Sequence, residues 1–340
     1  MKVALGMSGG VDSSTSALIL KNKGFDVSGV TLRLFGESDK DAKAVCDRLG
    51  ISHRVIDLTE LFKDTVIANF ISEYQNGRTP NPCIVCNEKI KFGAMLNDVL
   101  AQDGELIATG HYAVIENHNG RFLIKKPTDL SKDQTYVLYG LTQFQLSHTV
   151  FPLGDLTKTQ VREIAAENGF INANKKDSQD ICFVPDGDYV GFIERQLGIS
   201  AAKKGAFTDI NGNVLGEHSG LINYTIGQRK GLGIALGHPA FVIEKDPLNN
   251  TVTLGDEKYL FKKNVNVKNV NFIPFDKLNG DLKCFAKLRY RHTEQPCVLH
   301  PISETEVMIE FEKPQRAPAM GQSAVFYDGD YVIGGGIIKQ

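Results

Sequence analysis

The sequence predicts an α/β protein: an N-terminal doubly wound parallel sheet, then a small central β-rich domain, then a C-terminal β-barrel. Three observations predict it. Strand and helix signals alternate between residues 3 and 109, the pattern of parallel strands covered by helices on both faces. A Gly/Ser loop joins the first strand to the first helix. After Gly198 short strands separated by turns take over, at Asn211-Gly212-Asn213, Asn249-Asn250 and Asp328-Gly329, which is the rhythm of small all-β units.

Residues 3–7 form a short buried-type strand, and 13–23 a helix stopped by Gly24. Residues 26–34 are the next strand. A helix over 38–49 opens on Ser38 with Asp41 three residues on and closes at Gly50. A third strand covers 53–56, and 58–74 is a longer amphipathic helix. The stretch 76–86, with Pro80 and Pro82, is a loop before a helix over 88–101 and a strand over 106–109. A hairpin spans 113–126 around Asn117-His118-Asn119-Gly120, and helices are expected near 132–139, 143–148 and 157–168. Clean strands then cover 284–290, 306–311 and 323–327. Domain boundaries fall near residues 200 and 262, giving units 1–199, 200–261 and 262–340.

Composition bounds the function. The chain has 340 residues, 42% hydrophobic and 23% charged, as in ordinary globular proteins. No apolar run approaches the roughly 20 residues of a membrane span. The first residues enter a motif at once, with no room for a signal peptide, so a cytoplasmic protein without membrane partners is expected. A net charge of −2 does not advertise the broad basic surface of a nucleic-acid binder, so any nucleic-acid contact must gather its positive charge locally. Lys283, Lys287, Arg289 and Arg291 recur at even spacing, and strand alternation would place all four on one face as a phosphate-binding stripe, with Tyr290 opposite.

The strongest local signal is Ser8-Gly9-Gly10-Val11-Asp12-Ser13-Ser14, between a strand and a helix. Glycines let the backbone approach a ligand, and the helix N-terminus offers unpaired N–H groups and partial positive charge. That is an anion site. The Gly-Lys-Ser/Thr ending of a Walker loop is absent. Of the six cysteines, Cys83 and Cys86 form a C-x-x-C pair suited to metal or redox chemistry. Cys46, Cys284 and Cys297 read as small buried hydrophobes.

The loop at residues 8–14 resembles the SGGxDS loop of the ATP-pyrophosphatase superfamily, adenine-nucleotide hydrolase-like enzymes that cleave ATP to AMP and pyrophosphate. Together with Gly77-Arg78-Thr79-Pro80-Asn81-Pro82-Cys83-Ile84-Val85-Cys86-Asn87, Ala108-Thr109-Gly110-His111-Tyr112, Lys132-Asp133-Gln134 and Asp177-Ser178-Gln179-Asp180-Ile181-Cys182-Phe183 it resembles the tRNA-specific 2-thiouridylases. Gly227-Gln228-Arg229-Lys230-Gly231-Leu232-Gly233, Arg289-Tyr290-Arg291 and Gly321-Gln322-Ser323-Ala324-Val325 extend the resemblance over essentially the whole chain, in order.

The resemblance implies a tRNA-uridine 2-sulfurtransferase acting on the wobble uridine of glutamate, glutamine and lysine tRNAs. ATP adenylates the 2-carbonyl oxygen, and sulfur then displaces AMP. In this reading Cys182 carries a persulfide and Cys86 is the other catalytic cysteine. Gly6, Met7, Ser8, Gly9, Gly10, Val11, Asp12, Ser13, Leu32 and Gly110 would line the ATP site, with Asp12 working with Mg²⁺. Asn81, Pro82 and Cys83 would hold the target base, and His111, Lys132, Asp133, Gln134, Arg289, Tyr290 and Gln322 would contact tRNA. A cysteine desulfurase or a sulfur-relay protein would be the donor. Two features depart from many relatives, which have Asp where this chain has Cys83 and a longer acidic insert after Leu34. Three thiols then become available, and Cys83, Cys86 and Cys182 could instead hold an iron–sulfur cluster with one open iron. The segment around Asp177–Cys182 is expected to order over the base when tRNA binds.

Overall fold

A computed structural model describes residues 1–36, 39–170 and 181–339. The first strand, β1 (Lys2–Gly6), buries Val3 and Leu5 on one face and Ala4 on the other, as period-two alternation requires. It is followed by α1 (Val11–Asn22), β2 (Asp26–Arg33), α2 (Lys40–Leu49) and β3 (Ser52–Asp57). Gly50 closes α2 in the left-handed conformation, as expected. Ser38, the expected cap of this helix, lies outside the described residues, and Asp39 stands at the cap without a side-chain bond.

The helix expected over 58–74 is a continuous run of α3 (Thr59–Phe62), a π-helical stretch Lys63–Ile67 and α4 (Ala68–Gln75). The loop expected over 76–86 is shorter. Helix resumes at α5 (Pro82–Val85) and continues through a π-helical stretch Cys86–Met95 into α6 (Leu96–Ala101). Asn81 causes the early start: its Oδ1 accepts the Cys83 N–H at 3.2 Å, and Pro82 fills the first helical position, where no N–H is needed. Both members of the C-x-x-C pair are therefore helical residues.

Beyond α6 come β4 (Leu106–Ala108) and the expected hairpin, β5 (Val114–His118) and β6 (Arg121–Lys125). Its turn is Asn119-Gly120, both at positive φ, the geometry that matches strand twist. The helix expected at 132–139 is replaced by two 3₁₀ turns, Leu130–Lys132 and Thr135–Val137. Asp129 and Asp133 explain the difference, because each carboxylate accepts the N–H two residues on, from Ser131 and Thr135, and holds a turn instead. Then follow α7 (Gln143–Ser147), β7 (Thr149–Val150), α8 (Lys158–Glu167) and α9 (Tyr189–Leu197). Capping boxes start α7 at Thr142/Gln145 and α8 at Thr157/Gln160.

The parallel sheet has the order β3-β2-β1-β4-β7. Chain order runs outward from β1 on one side and restarts on its other side at β4. The switch point between β1 and β4 is where open α/β sheets bind ligands, beyond the carboxyl ends of the strands. The Gly/Ser loop at residues 7–10 leaves β1 there.

The central unit is a four-stranded sheet of β8 (Gly205–Thr208), β9 (Val214–His218), β10 (Phe241–Asp246) and β11 (Thr251–Gly255), ordered β10-β11-β8-β9. The last unit is built of β12 (Phe261–Phe272), β13 (Leu282–Lys287), β14 (Gln295–Ser303), β15 (Glu306–Arg316), β16 (Ser323–Asp328) and β17 (Tyr331–Lys339). Pairing of β12 with both β15 and β17 closes these six strands into a barrel. The β5–β6 hairpin extends the barrel sheet through Lys125 opposite Tyr331.

One apolar cluster joins the two main units. Ala4 and Val30 of the parallel sheet, Phe92 and Met95 of the Cys86–Met95 helix, and Val325 and Tyr327 of the barrel belong to it. Cys46, Cys284 and Cys297 are buried in apolar clusters, as expected, with Cys284 and Cys297 opposite each other on β13 and β14. Among the described residues no helix is long and apolar enough to cross a membrane.

Candidate functional site

The loop Met7–Gly10 is tied down at both ends. The Met7 N–H donates to Val30 O at 2.8 Å, and the Ser13 and Ser14 hydroxyls donate to Gly10 O at 3.1 and 2.9 Å. Gly10 caps α1 with extended backbone and no side-chain acceptor, so the first N–H groups of the helix are left to a ligand. Gly110 approaches from the turn after β4. A Cβ on it would stand 3.1 Å from Asp12 Cβ and 3.2 Å from Ser13 N, so any side chain there would press the two segments apart by a few tenths of an ångström. Leu32 is half-buried on β2 and packs on apolar residues beneath the site.

Asp12 is more engaged than its sequence suggests. It accepts two hydrogen bonds from Lys158 Nζ, both 2.8 Å, and one from the Tyr112 hydroxyl at 2.9 Å. Lys158, in the first turn of α8, is 11% exposed along its side chain. The sequence carries no local sign of this pairing: Thr157-Lys158 reads only as a helix start, and 146 residues separate it from Asp12. Tyr112 was visible inside a motif, without a partner.

A cleft of about 960 Å³ opens over this loop. Its walls include Ser8, Gly10 and Asp12, the Lys132–Gln134 turn, Cys182, and Tyr290 and Arg291 from the barrel. Lys91, Lys132, Lys158 and Lys287 also line it, which gathers positive charge in a chain of net charge −2. The charge is not arranged as the sequence predicted. The strand β13 ends at Lys287, so the alternation expected to carry Lys283, Lys287, Arg289 and Arg291 on one face breaks down. Arg289 turns inward and donates to Ala317 O at 2.8 Å, and its pKa is lowered by burial and by Arg316. Lys287 pairs with Asp133 at 3.4 Å and Glu294 at 3.7 Å. Tyr290, 41% exposed, stands edge-on to Tyr136. Burial raises the pKa of its hydroxyl, with Asp133 and Cys83 adding to the effect.

Other predicted site residues are braces in this structure. Gln134 accepts the Tyr112 N–H on its side chain at 2.9 Å and returns its own N–H to Tyr112 O at 3.1 Å. Gln322 donates to Thr79 O at 2.8 Å and to Pro80 O at 3.2 Å, tying the segment before Asn81 to the barrel. His111 is buried between Phe92 and Phe151 and shares a 2.6 Å hydrogen bond with Thr109. Burial, with Lys91 adding, holds its pKa well below the ordinary value.

All six cysteines are thiols rather than disulfides. Cys83 and Cys182 are exposed, and Cys86 is 8% exposed within a cluster that also holds Phe183 and Val184. The residues after Cys182 thus share an apolar bed with Cys86. Asp177–Asp180, the rest of the segment expected to close over a base, lie outside the described residues. Among the described residues no group of three Cys, His, Asp or Glu side chains gathers to hold a metal ion. Among the described residues Cys83, Cys86 and Cys182 do not converge on one center as the thiolates of an iron–sulfur cluster would. Asp12 is the carboxylate of the loop, and a Mg²⁺ held there with phosphate oxygens would have to take one of its oxygens from the Lys158 ammonium.

Comparison with known proteins is consistent along the whole chain. Residues 1–186 match a family model described as a tRNA methyl transferase HUP domain, 191–256 a tRNA methyl transferase PRC-barrel domain, and 262–338 an aminomethyltransferase beta-barrel domain. The tRNA-specific 2-thiouridylase MnmA of Halothermothrix orenii is 47% identical, covering 100% of this chain and 99% of the relative. Its counterpart from Clostridium acetobutylicum is 49% identical, with 99% of each covered. That from Clostridioides difficile is 48% identical, with 100% and 98% covered. Among solved structures, a 4-thiouridine synthetase–RNA complex with bound ATP aligns with 58% of this chain and 50% of that one, at 18% identity and a TM-score of 0.37. On the strength of the full-length relatives and the three family models in order, the chain belongs to the tRNA-specific 2-thiouridylase family.

Proposed function

We propose that the protein uses ATP to replace the 2-oxygen of a uridine in tRNA with sulfur, at the wobble position of the glutamate, glutamine and lysine tRNAs. The observation that supports this most is the single cleft joining the nucleotide loop, Cys182 and the barrel residues Tyr290 and Arg291. Each step of the reaction needs one of these parts. The α1 N-terminus and the cleft lysines receive the triphosphate. Mg²⁺, held by Asp12 and phosphate oxygens, would neutralise charge on the departing pyrophosphate.

The uridine 2-oxygen attacks the α-phosphorus and pyrophosphate leaves. The C2–O bond then carries AMP, a good leaving group. Sulfur arrives as a persulfide on Cys182, delivered by a cysteine desulfurase or a sulfur-relay protein. The Cys86 thiolate attacks the Cys182 sulfur, breaks the S–S bond and releases hydrosulfide, forming a Cys86–Cys182 disulfide. Hydrosulfide adds to C2, AMP departs with the C–O electron pair, and a thiol reductant restores the cysteines. Disulfide formation requires α-carbons roughly 5.5 Å apart. The apolar bed shared by Cys86 and Phe183 is where the two would meet.

The base must be unstacked for attack at its edge, and an anticodon loop is already single-stranded. Tyr290 offers a stacking face, and Arg291 and Lys132 offer charge to the backbone. A reducing cytoplasm, where tRNA and thiol-borne sulfur meet, is the compartment this chemistry requires.

The test is an anaerobic assay with unmodified glutamate tRNA, Mg-ATP and a persulfide donor, reading 2-thiouridine by mass spectrometry and pyrophosphate by coupled enzymes. Both products should form in the parent. Product should vanish in Cys182→Ala and Cys86→Ala while an ATP analogue still binds. Undiminished product in Cys182→Ala, or product only after cluster reconstitution, would retire the persulfide route. No product and no pyrophosphate from a protein that binds ATP would retire the thiolase reading.

A further inference from the structure

We infer that Lys158 is a positioning residue that joins the nucleotide loop to the RNA-facing rim of the cleft, so that ATP and tRNA bind with positive coupling. This rests on the function proposed above. The same residue works in two directions. Its ammonium makes both of its 2.8 Å bonds to Asp12, while its backbone N–H donates to Asp129 Oδ2 at 2.9 Å. The other oxygen of Asp129 accepts the Ser131 N–H at 3.1 Å and the Ser131 hydroxyl at 2.6 Å, which shapes the turn that leads into Lys132, Asp133 and Gln134. A second arm starts at the same carboxylate. The Tyr112 hydroxyl donates to Asp12 at 2.9 Å, and the Tyr112 backbone is bonded in both directions to Gln134.

Asp12 therefore stands at the foot of two hydrogen-bonded arms that end on one turn. From that turn the linkage continues to the barrel through Asp133 and Lys287. Lys158 itself lines the cleft beside Ser8 and Gly10. An ammonium there is attracted both by Asp12 and by an arriving triphosphate, so nucleotide binding changes the balance of forces on it. Because its backbone N–H holds Asp129, Lys158 touches the nucleotide loop at one end and the turn at the rim at the other. Two sites that bias one shared element are coupled, and the coupling is reciprocal.

The experiment is calorimetric titration of the full chain with a non-hydrolysable ATP analogue and Mg²⁺, with and without unmodified glutamate tRNA, and the reverse titration. In the parent each ligand should tighten the other by about tenfold, equally in both directions. The ratio should fall to near one in Lys158→Met, which keeps the apolar stem and removes the ammonium. It should also fall in Asp129→Ala, which cuts the arm outside the nucleotide loop, and should survive in Lys158→Arg. A ratio unchanged in Lys158→Met overturns the inference. A parent ratio of one, with 2-thiouridine still formed, overturns it while leaving the proposed function standing. Absence of both tRNA binding and 2-thiouridine overturns both.

Discussion

Gly9→Ala tests how the nucleotide loop is held. Gly9 has φ +69°, in the left-handed region that costs an L-residue about 1–2 kcal/mol. The added Cβ would also meet Asp41 Cβ at 2.7 Å and Ala42 N at 3.3 Å, on the first turn of α2. A Cβ cannot be rotated away, so either the loop or α2 must move, and such overpacking costs about 1–3 kcal/mol. The expected total is about 2–5 kcal/mol. Gly24→Ala supplies the comparison within the same α/β unit. Its φ is +82°, and no atom lies within 4 Å of an added Cβ, so only the dihedral cost of about 1–2 kcal/mol applies. Urea unfolding and calorimetric titration with an ATP analogue should separate the two. Gly9→Ala should be the less stable and bind the analogue at least about tenfold more weakly, as a displaced anion site must. Gly24→Ala should bind as the parent does. Equal loss of stability with equal binding would refute the packing argument.

The buried His111 has a pKa depressed by desolvation, so the unfolded chain takes up a proton that the folded one refuses. Its contribution is complete above the ordinary value of 6.5 and is lost as pH falls from there toward the depressed value, so His111→Phe should flatten part of the acid loss seen in unfolding at successive pH values. Lys245, 2% exposed, donates to Tyr224 O at 2.7 Å, and burial lowers its pKa from 10.5 to about 8. Keeping it charged costs about 3 kcal/mol below pH 8, so Lys245→Met should match or exceed the parent's stability at pH 7 and lose that advantage between pH 8 and 10.5. Gln322→Ala should leave ATP-analogue binding unchanged and lower 2-thiouridine formation about tenfold, because the Thr79 and Pro80 carbonyls lose their donor and the segment leading to Asn81 loosens.

The strand, glycine loop and helix start at residues 2–14 were legible in the sequence because every part of them is local. The hairpin at Asn119-Gly120 and the stop at Gly50 were legible for the same reason. Where local signals compete, periodicity misleads. Asn81 and Pro82 started a helix inside an expected loop, and Asp129 and Asp133 turned an expected helix into two 3₁₀ turns. In both cases a short polar side chain bonded to the backbone decided the outcome over periodicity. The row of cations failed differently. Its even spacing was real, but the strand that would have given the spacing meaning ends at Lys287. Lys158 and the Asp133–Lys287 pair were out of reach altogether, since they join positions 146 and 154 residues apart.

Those distant pairs change what the barrel is for. A barrel that only gripped RNA could sit anywhere on the surface. This one supplies part of the cleft wall, accepts the Tyr136 hydroxyl at Ser323 O and bonds the Tyr139 hydroxyl at Ser323 Oγ. It also steadies the segment before Asn81 through Gln322. Lys126 and Lys287 lie 4.9 and 5.2 Å from the Tyr327 ring and share Glu294, so the charges nearest the junction are matched across it. The junction is apolar at its center and ion-paired at its edge, with the cysteine-bearing helix packed into the apolar part. The cleft wall and the helix that carries Cys83 and Cys86 are thus held in one framework, which is what the proposed reaction requires if its sulfur and its activated carbon are to meet in the same cleft.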